Sequence, residues 1–242
     1  MFINNFVIWD YIMVLGVTAL GTILAYAHDP KLKAVLISIP VPFTLAALAV
    51  GAPMDLTNIL GLVLLLAYAH LVRWFYQDMK LPILPAIFLS ASAYTVSAAI
   101  LAPILPSAGI YFWVGSLIVL LIGIILYSLP VKISEPGYRS PLPIPIKIIA
   151  VLLVVIAVVL LKHWLAGFIT LFPMMGVLGS YEARKSMRTI CRQMPIIIIT
   201  FIPMIIVSRL TYGFAGLGAS LFLGWLVFLT LFIPLTINNN KI

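Results

Sequence analysis

The feature that most constrains this chain is a recurring apolar block, roughly 17 to 23 residues long and almost free of charge, repeated from one end to the other. A helix needs about 20 apolar residues to cross about 30 Å of hydrocarbon, so each block is a predicted transmembrane span. Transmembrane β-barrels are excluded, because their strands alternate apolar and polar residues, and stretches such as Ile148 to Leu161 do not alternate. Composition agrees: 64% of the 242 residues are hydrophobic and 8% charged, whereas soluble domains carry about 25% charged residues. The predicted class is all-α, a polytopic transmembrane helical bundle.

Nine spans are predicted: Phe6 to Ala27, Ala34 to Val50, Leu56 to Phe75, Pro82 to Leu105, Ile110 to Leu129, Ile146 to Leu161, Leu165 to Ala183, Pro195 to Tyr212 and Phe214 to Leu235. Met1 to Asn5 contains no basic residue and no small-residue cleavage pattern follows, so the first block is read as a retained helix rather than a signal peptide. Placing the first connection in the cytoplasm puts Lys31, Lys33, Arg73, Lys80, Lys132, Arg139, Lys147, Arg184, Lys185, Arg188, Arg192 and Lys241 inside and leaves Lys162 and Arg209 outside. Basic residues resist translocation, so this asymmetry predicts an outer N-terminus and a cytoplasmic C-terminus in the cell membrane. The same scatter explains the net charge of +8 without nucleic acid, since no basic face with interleaved aromatics is present. One cysteine, Cys191, permits no intramolecular disulfide and no multi-cysteine zinc site.

The longest polar connection, Pro130 to Pro145, holds Glu135, Arg139 and five prolines, which favour extended backbone. It divides the chain into an N-terminal helix plus a four-helix unit (1–129), a cytoplasmic linker (130–145) and a second four-helix unit (146–242). A shift of 113 residues places Tyr68 on Tyr181 and Pro82 on Pro195. Parallel repeats of this kind occur in transporters, so a parallel 4+4 internal repeat is expected.

The second half reads IKIIAVLLVVIAVVLLKHWLAGFITLFPMMGVLGSY, a basic-led apolar helix followed by a segment containing Ala166, Gly167, Leu171, Phe172 and Pro173. Over about 90 residues, from Lys147 to Leu235, this resembles the small four-helix inner-membrane proteins of the GlpM type. The resemblance implies a fold and assigns no catalytic residue. The whole chain then reads as a duplicated version of that unit.

Ionisable groups cost about 2.5 to 3.5 kcal/mol at the centre of a spanning helix, so polar residues there are the candidates for function. In the fourth span Ser90, Tyr94 and Ser97 follow the i, i+4, i+7 spacing of one helix face, with Ser92 and Thr95 beside them. The stripe reads either as a solute pathway or as a helix-packing surface of small residues. His70 and Arg73 lie one turn apart near Tyr68 and suit anion binding or proton handling, although Arg73 is also placed to snorkel. In the seventh span Pro173, Gly176 and Gly179 predict an interrupted helix before Tyr181 and Glu182. Glu182 has Lys185 at i+3, an ordinary intrahelical pair, or else serves a gate or acidic lipid headgroups. Lys162, His163 and Arg209 form either an outer basic vestibule or simple interfacial anchors. Asp10, between Trp9 and Tyr11, is expected to be a wetted carboxylate in an interfacial belt.

Phosphate-loop, His-Glu-x-x-His and Gly-x-Ser-x-Gly motifs are absent, and Asp29, Asp55 and Asp78 stand in separate connections. These absences weigh against ATP-driven pumping, hydrolysis and metal-assisted lipid chemistry, and no cofactor or metal is expected. The leading expectation is a secondary transporter or channel-like permease for a small solute, not an enzyme. A non-catalytic membrane subunit or assembly factor, acting as a homo-oligomer or with a membrane-protein partner, is the alternative. It is suggested by small-residue pairs such as Gly176 with Ser180 and Gly216 with Ser220. An intramembrane lipid-modifying enzyme using His70 or Glu182 ranks third, for want of a nucleophile near a base.

Overall fold

The structure, a computed structural model, describes residues 7–129 and 135–241, with the backbone alone at residues 144, 163 and 238–241. Among the described residues all regular structure is helical. Met1 to Asn5 and Lys132, used above for the leader and the topology, lie outside the described residues, as does the side chain of Lys241.

Helix α1 (Ile8–Tyr26) is followed by α2 (Pro30–Ser38), which starts on an Asp29 cap whose carboxylate accepts the Lys31 N–H. Pro40 and Pro42 then break the chain, and α3 (Val41–Val50) continues to a left-handed Gly51. The second predicted span is thus two half-helices and begins at Pro30 rather than Ala34. Helix α4 (Leu56–Arg73) runs on through a π-turn, Trp74–Asp78, and α5 (Ile83–Leu101) and α6 (Gly109–Ser128) follow.

Helix α7 (Ile144–Leu165) passes into a 3₁₀ segment, Ala166–Leu171, and a short helix, α8 (Met174–Glu182). Proline 173 cannot donate a backbone hydrogen bond, so the predicted interruption of the seventh span is found, between Leu171 and Met174. A single 3₁₀ turn, Arg184–Ser186, leads into α9 (Met187–Lys241).

Helix α9 is 55 residues long and contains one non-helical residue, Gly216, at φ 73°, ψ 170°. Only glycine adopts that backbone without strain. There the chain doubles back: Ser208 Oγ donates to the Ser220 carbonyl at 3.2 Å, and a Cβ at Gly224 would lie 2.9 Å from the Met204 carbonyl oxygen. Gly216 is therefore the turn between two packed arms, not half of a small-residue helix face. Pro195, predicted to open the eighth span, lies inside the first arm, two turns beyond its start.

Seven helices are long and apolar enough to cross a membrane, counting Arg184–Ile237 as one. Large apolar side chains point outward from the bundle, among them Phe88, Trp164 and Phe214 at 72%, 75% and 79% exposure. Such a surface needs lipid as its solvent, and the chain is a multi-pass membrane protein. Helix α4 is the hub, packed against α5, α6, the 3₁₀ segment and α9, while α1 packs against α3, α7 and α8.

Candidate functional site

Both helix interruptions fall near the middle of their segments and face the same space. A cavity of about 50 Å³ is walled by Pro40 from the α2–α3 break, Pro173 and Gly176 from the 3₁₀–α8 break, and Leu65, Tyr68 and Ala69 from the middle of α4. Its walls are mostly apolar, and its volume admits only a few waters. The polar groups at its edge include the Tyr68 hydroxyl and Ser180 Oγ, 3.4 Å apart, Thr170, and the half-helix ends themselves. Tyr68 is 2% exposed, so this pair is sealed within the bundle.

The 3₁₀ segment is held against the start of α4 by polar contacts that a bilayer interior demands. Asn58 Nδ2 donates to the Gly167 carbonyl at 3.2 Å and to Thr170 Oγ1 at 3.0 Å, and Thr170 Oγ1 donates to the same carbonyl at 2.7 Å. Gly167 is required because a Cβ there would collide with Thr57 Oγ1. The turn into the segment is made by Ala166 at φ 47°, a left-handed conformation unfavourable for a residue with a Cβ.

The predicted stripe on α5 has a definite place. Tyr94 OH donates to the Phe168 carbonyl at 2.7 Å, and its ring meets that of Phe172 edge to face at 5.5 Å. Tyr94 thus buttresses the interrupted segment from behind the cavity. Ser90 is fully buried and its hydroxyl returns to the Ala86 carbonyl at 2.8 Å, within its own helix. Ser97 is half-buried on the same face, and Ser90, Tyr94 and Ser97 stand outside the walls of this cavity and of the two larger ones, of about 240 and 310 Å³.

Glu182 is placed otherwise than by an intrahelical pair with Lys185. It is 0% exposed and accepts Lys147 Nζ at 2.9 Å on Oε1, where Ser140 Oγ also donates at 2.9 Å. The Ser140 N–H reaches Oε2 at 3.2 Å, and Lys147 Nζ also donates to the Ser140 carbonyl at 3.2 Å. Lys33, 1% exposed, donates to the carbonyls of Tyr138 and Glu182 at 2.6 and 2.5 Å. The reason is local: α8 ends at Glu182 and the chain tightens to a 3₁₀ turn, so Lys185 leaves that face and sits over the Tyr138 ring at 4.7 Å. Arg184 lies over the rings of Tyr138 and Tyr181, at 4.6 and 4.7 Å. This end of the bundle gathers basic residues from four connections and is called the basic end below.

At the opposite end Asp10 is not wetted but 0% exposed, and Lys162 Nζ donates to its Oδ2 at 2.5 Å. Burying the Asp10 carboxylate alone would be costly, which explains why α1 and α7 bring the two charges together. Arg209 goes elsewhere, donating to the Met54 carbonyl and lying over the Phe112 ring at 4.4 Å. With Asp55 and Ser107 it lines a second cavity of about 240 Å³. The expected vestibule is thus divided between two partners, and the His163 side chain lies outside the described residues.

His70 and Arg73 are brought together, at the basic end, in the wall of a third cavity of about 310 Å³ with Arg188 and Arg192 from α9. Among the described residues no three His, Cys, Asp or Glu side chains converge to hold a metal ion. Sequence reasoning missed the Tyr68–Ser180 pair, the Asn58 anchor and the Lys33–Lys147–Glu182 network. The run Ile39-Pro40-Val41-Pro42 was the available signal for the first interruption.

Searches for similar proteins among family models, curated proteins and solved structures found no match.

Proposed function

We propose that the protein is a secondary transporter or channel-like permease for a small solute, with its site at the cavity between the two interrupted helices. The observation that carries this reading is that both interruptions, Ile39–Pro40 and Phe172–Pro173, open onto one cavity near mid-span. Half-helix ends leave backbone N–H and C=O groups unpaired by their own helix, and in a bilayer such groups are tolerated where they line a cavity or a solute site. With room for only a few waters, the cavity corresponds on this reading to a contracted state that opens to admit solute.

The proposed topology is nine crossings, taking 166–182 as one interrupted span and the arms of α9 as two. A straight helix of 54 residues would be about 80 Å long, far more than one bilayer. The outer N-terminus and cytoplasmic C-terminus rest on the basic bias of the connections. The 113-residue shift aligns α2–α3 with α7, α4 with the interrupted segment, α5 with the first arm and α6 with the second. Tyr68 then touches Ser180, the neighbour of its own counterpart Tyr181, as expected for units related by an axis between them. The likeness of the second half to GlpM-type proteins fits the same unit and an inner-membrane location.

The small size of the cavity favours the alternative, a non-catalytic membrane subunit. Flux measurements on liposomes containing only this protein separate the two, using a panel of ions, organic acids and amines. In parallel, Ser180→Cys in a Cys191→Ser background is treated with small aqueous thiol reagents. Transport predicts flux of at least one solute and labelling of Cys at position 180 that the solute slows. No flux across the panel together with no labelling would sink the proposal.

A further inference from the structure

The third cavity carries a chemistry separate from the mid-span site. It lies at the basic end, between the last turn of α4, the end of α6 and the first turns of α9, and its wall includes His70, Arg73, Tyr127, Arg188, Cys191 and Arg192. Three arginines and a histidine thus line one space of about 310 Å³. Ligand sites span about 300 to 1,000 Å³, so the size suits a small headgroup or ion rather than a large solute.

Two details point to a ligand. Arg73 Nε is buried and has no hydrogen-bond partner among the described residues, an expensive state for part of a cation near hydrocarbon. The carboxylate beside the cluster, Glu135, is already engaged: Oε1 accepts the Arg188 N–H at 3.3 Å, and Oε2 accepts the Thr189 N–H and Oγ1 at 2.8 and 2.7 Å. It caps the start of α9, and its single negative charge stands beside a wall that carries three arginines. His70 Nδ1 faces the Leu66 carbonyl at 2.9 Å, and since a carbonyl only accepts, Nδ1 carries a proton. Leu126 and Leu129 supply an apolar floor continuous with the end of α6.

We infer that this cavity binds a phosphate group bearing no cation of its own, held by Arg73, Arg188 and Arg192. Arginine presents a planar fork that matches phosphate oxygens two at a time, and basic pockets between helices at a cytoplasmic interface recognise anionic headgroups. Its walls share no residue with the mid-span cavity.

Native mass spectrometry of the full chain from mixed phosphatidylglycerol and phosphatidylcholine micelles tests this. A charge-assisted contact of about 1.5 kcal/mol corresponds to roughly tenfold, so wild type should retain phosphatidylglycerol about tenfold over phosphatidylcholine. Arg73→Gln with Arg192→Gln should bring retention close to parity. Arg139→Gln should leave the preference intact, since Arg139 lies over the Tyr26 ring and not in this cavity. If the double variant does not fold, Arg73→Lys keeps the charge, loses the fork and should lower the preference severalfold. Thermal shifts of wild type with inorganic phosphate, in phosphatidylcholine alone, identify the source. Stabilisation by phosphate marks a site for the free ion, and lipid preference without it marks a headgroup site. The inference is overturned by no lipid preference combined with no phosphate response, by an unchanged preference in the Arg73 variants, or by an equal loss in Arg139→Gln.

Discussion

Helix α7 is pinned at both ends by a buried lysine and a carboxylate from another segment, yet the two ends are built to different standards. Lys147 and Lys162 are 15 residues apart, about 22 Å along the helix, so the pairs stand near opposite faces of the bundle. At the basic end Glu182 uses both oxygens, with Ser140 donating twice, and Lys33 binds the Glu182 backbone. At the far end Asp10 receives Lys162 and the Val7 N–H on Oδ2, while its buried Oδ1 has no partner among the described residues. The lesson is that a buried charge holds a fold in proportion to how completely its lone pairs and protons are used, not to the pair alone. The basic end is a network across four segments, and at the far end the Asp10–Lys162 pair clasps α1 to α7.

The largest effect should come from removing the network's acid. Glu182→Ala leaves Lys147 and the Ser140 donors buried without their acceptor, and should cost about 3 to 5 kcal/mol of stability. Unfolding of the purified chain in micelles would measure it, and a loss below about 1 kcal/mol would break the comparison. Asp10→Asn should cost less, about 1 to 2 kcal/mol, because Lys162 is near a helix end from which its amine can snorkel. The pairs should also differ in rescue. Replacing both partners of the clasp, Asp10→Leu with Lys162→Met, should return stability to within about 1 kcal/mol of wild type, whereas Lys147→Met with Glu182→Leu should not. Equal rescue at both ends would show that the network adds nothing to its pair.

Tyr94→Phe asks whether the far end has a second tie, through the 3₁₀ segment that follows α7. Losing the bond to the Phe168 carbonyl should cost about 1 kcal/mol, and amide hydrogen exchange in 166–171 should rise. Ser90→Ala should change stability by less than about 0.5 kcal/mol, since its hydroxyl serves only a carbonyl already bonded in its helix. A larger loss of stability or of solute flux in Ser90→Ala would return the α5 stripe to the functional site.

Much of the fold was legible because hydrophobic length is a local property. The blocks predicted to end at Ala27, Val50, Leu105, Leu129 and Leu161 appear as helices ending at Tyr26, Val50, Leu101, Ser128 and Leu165, and caps such as Asp29 or Pro143 move their starts by a few residues. The interruption at Pro173 was legible too, because a missing N–H acts within its own turn. The companion at Pro40 was not, since two prolines inside an apolar block leave its hydropathy nearly unchanged.

The site was less legible, for a different reason. Glu182 was assigned to Lys185 because helix spacing ranks near neighbours first, but the true partner is 35 residues away and Ser140 is 42 residues away. Asp10 was assigned to water because aromatic neighbours mark an interface, yet Lys162, 152 residues on, draws it inward. Neither pairing leaves any periodicity to read.

The solvent, the helical class and most of the span positions can be read from the chain alone, since each follows from transferring a continuous stretch of side chains from water to hydrocarbon. Which buried charges meet, that the two breaks share a cavity, and that Arg73 lines one cavity with Arg188 and Arg192 emerge from the packing alone. Those outcomes depend on which helices pack together. In a bilayer that choice is made by close packing and by satisfying polar groups one against another, because hydrophobicity favours no helix pair over the lipid.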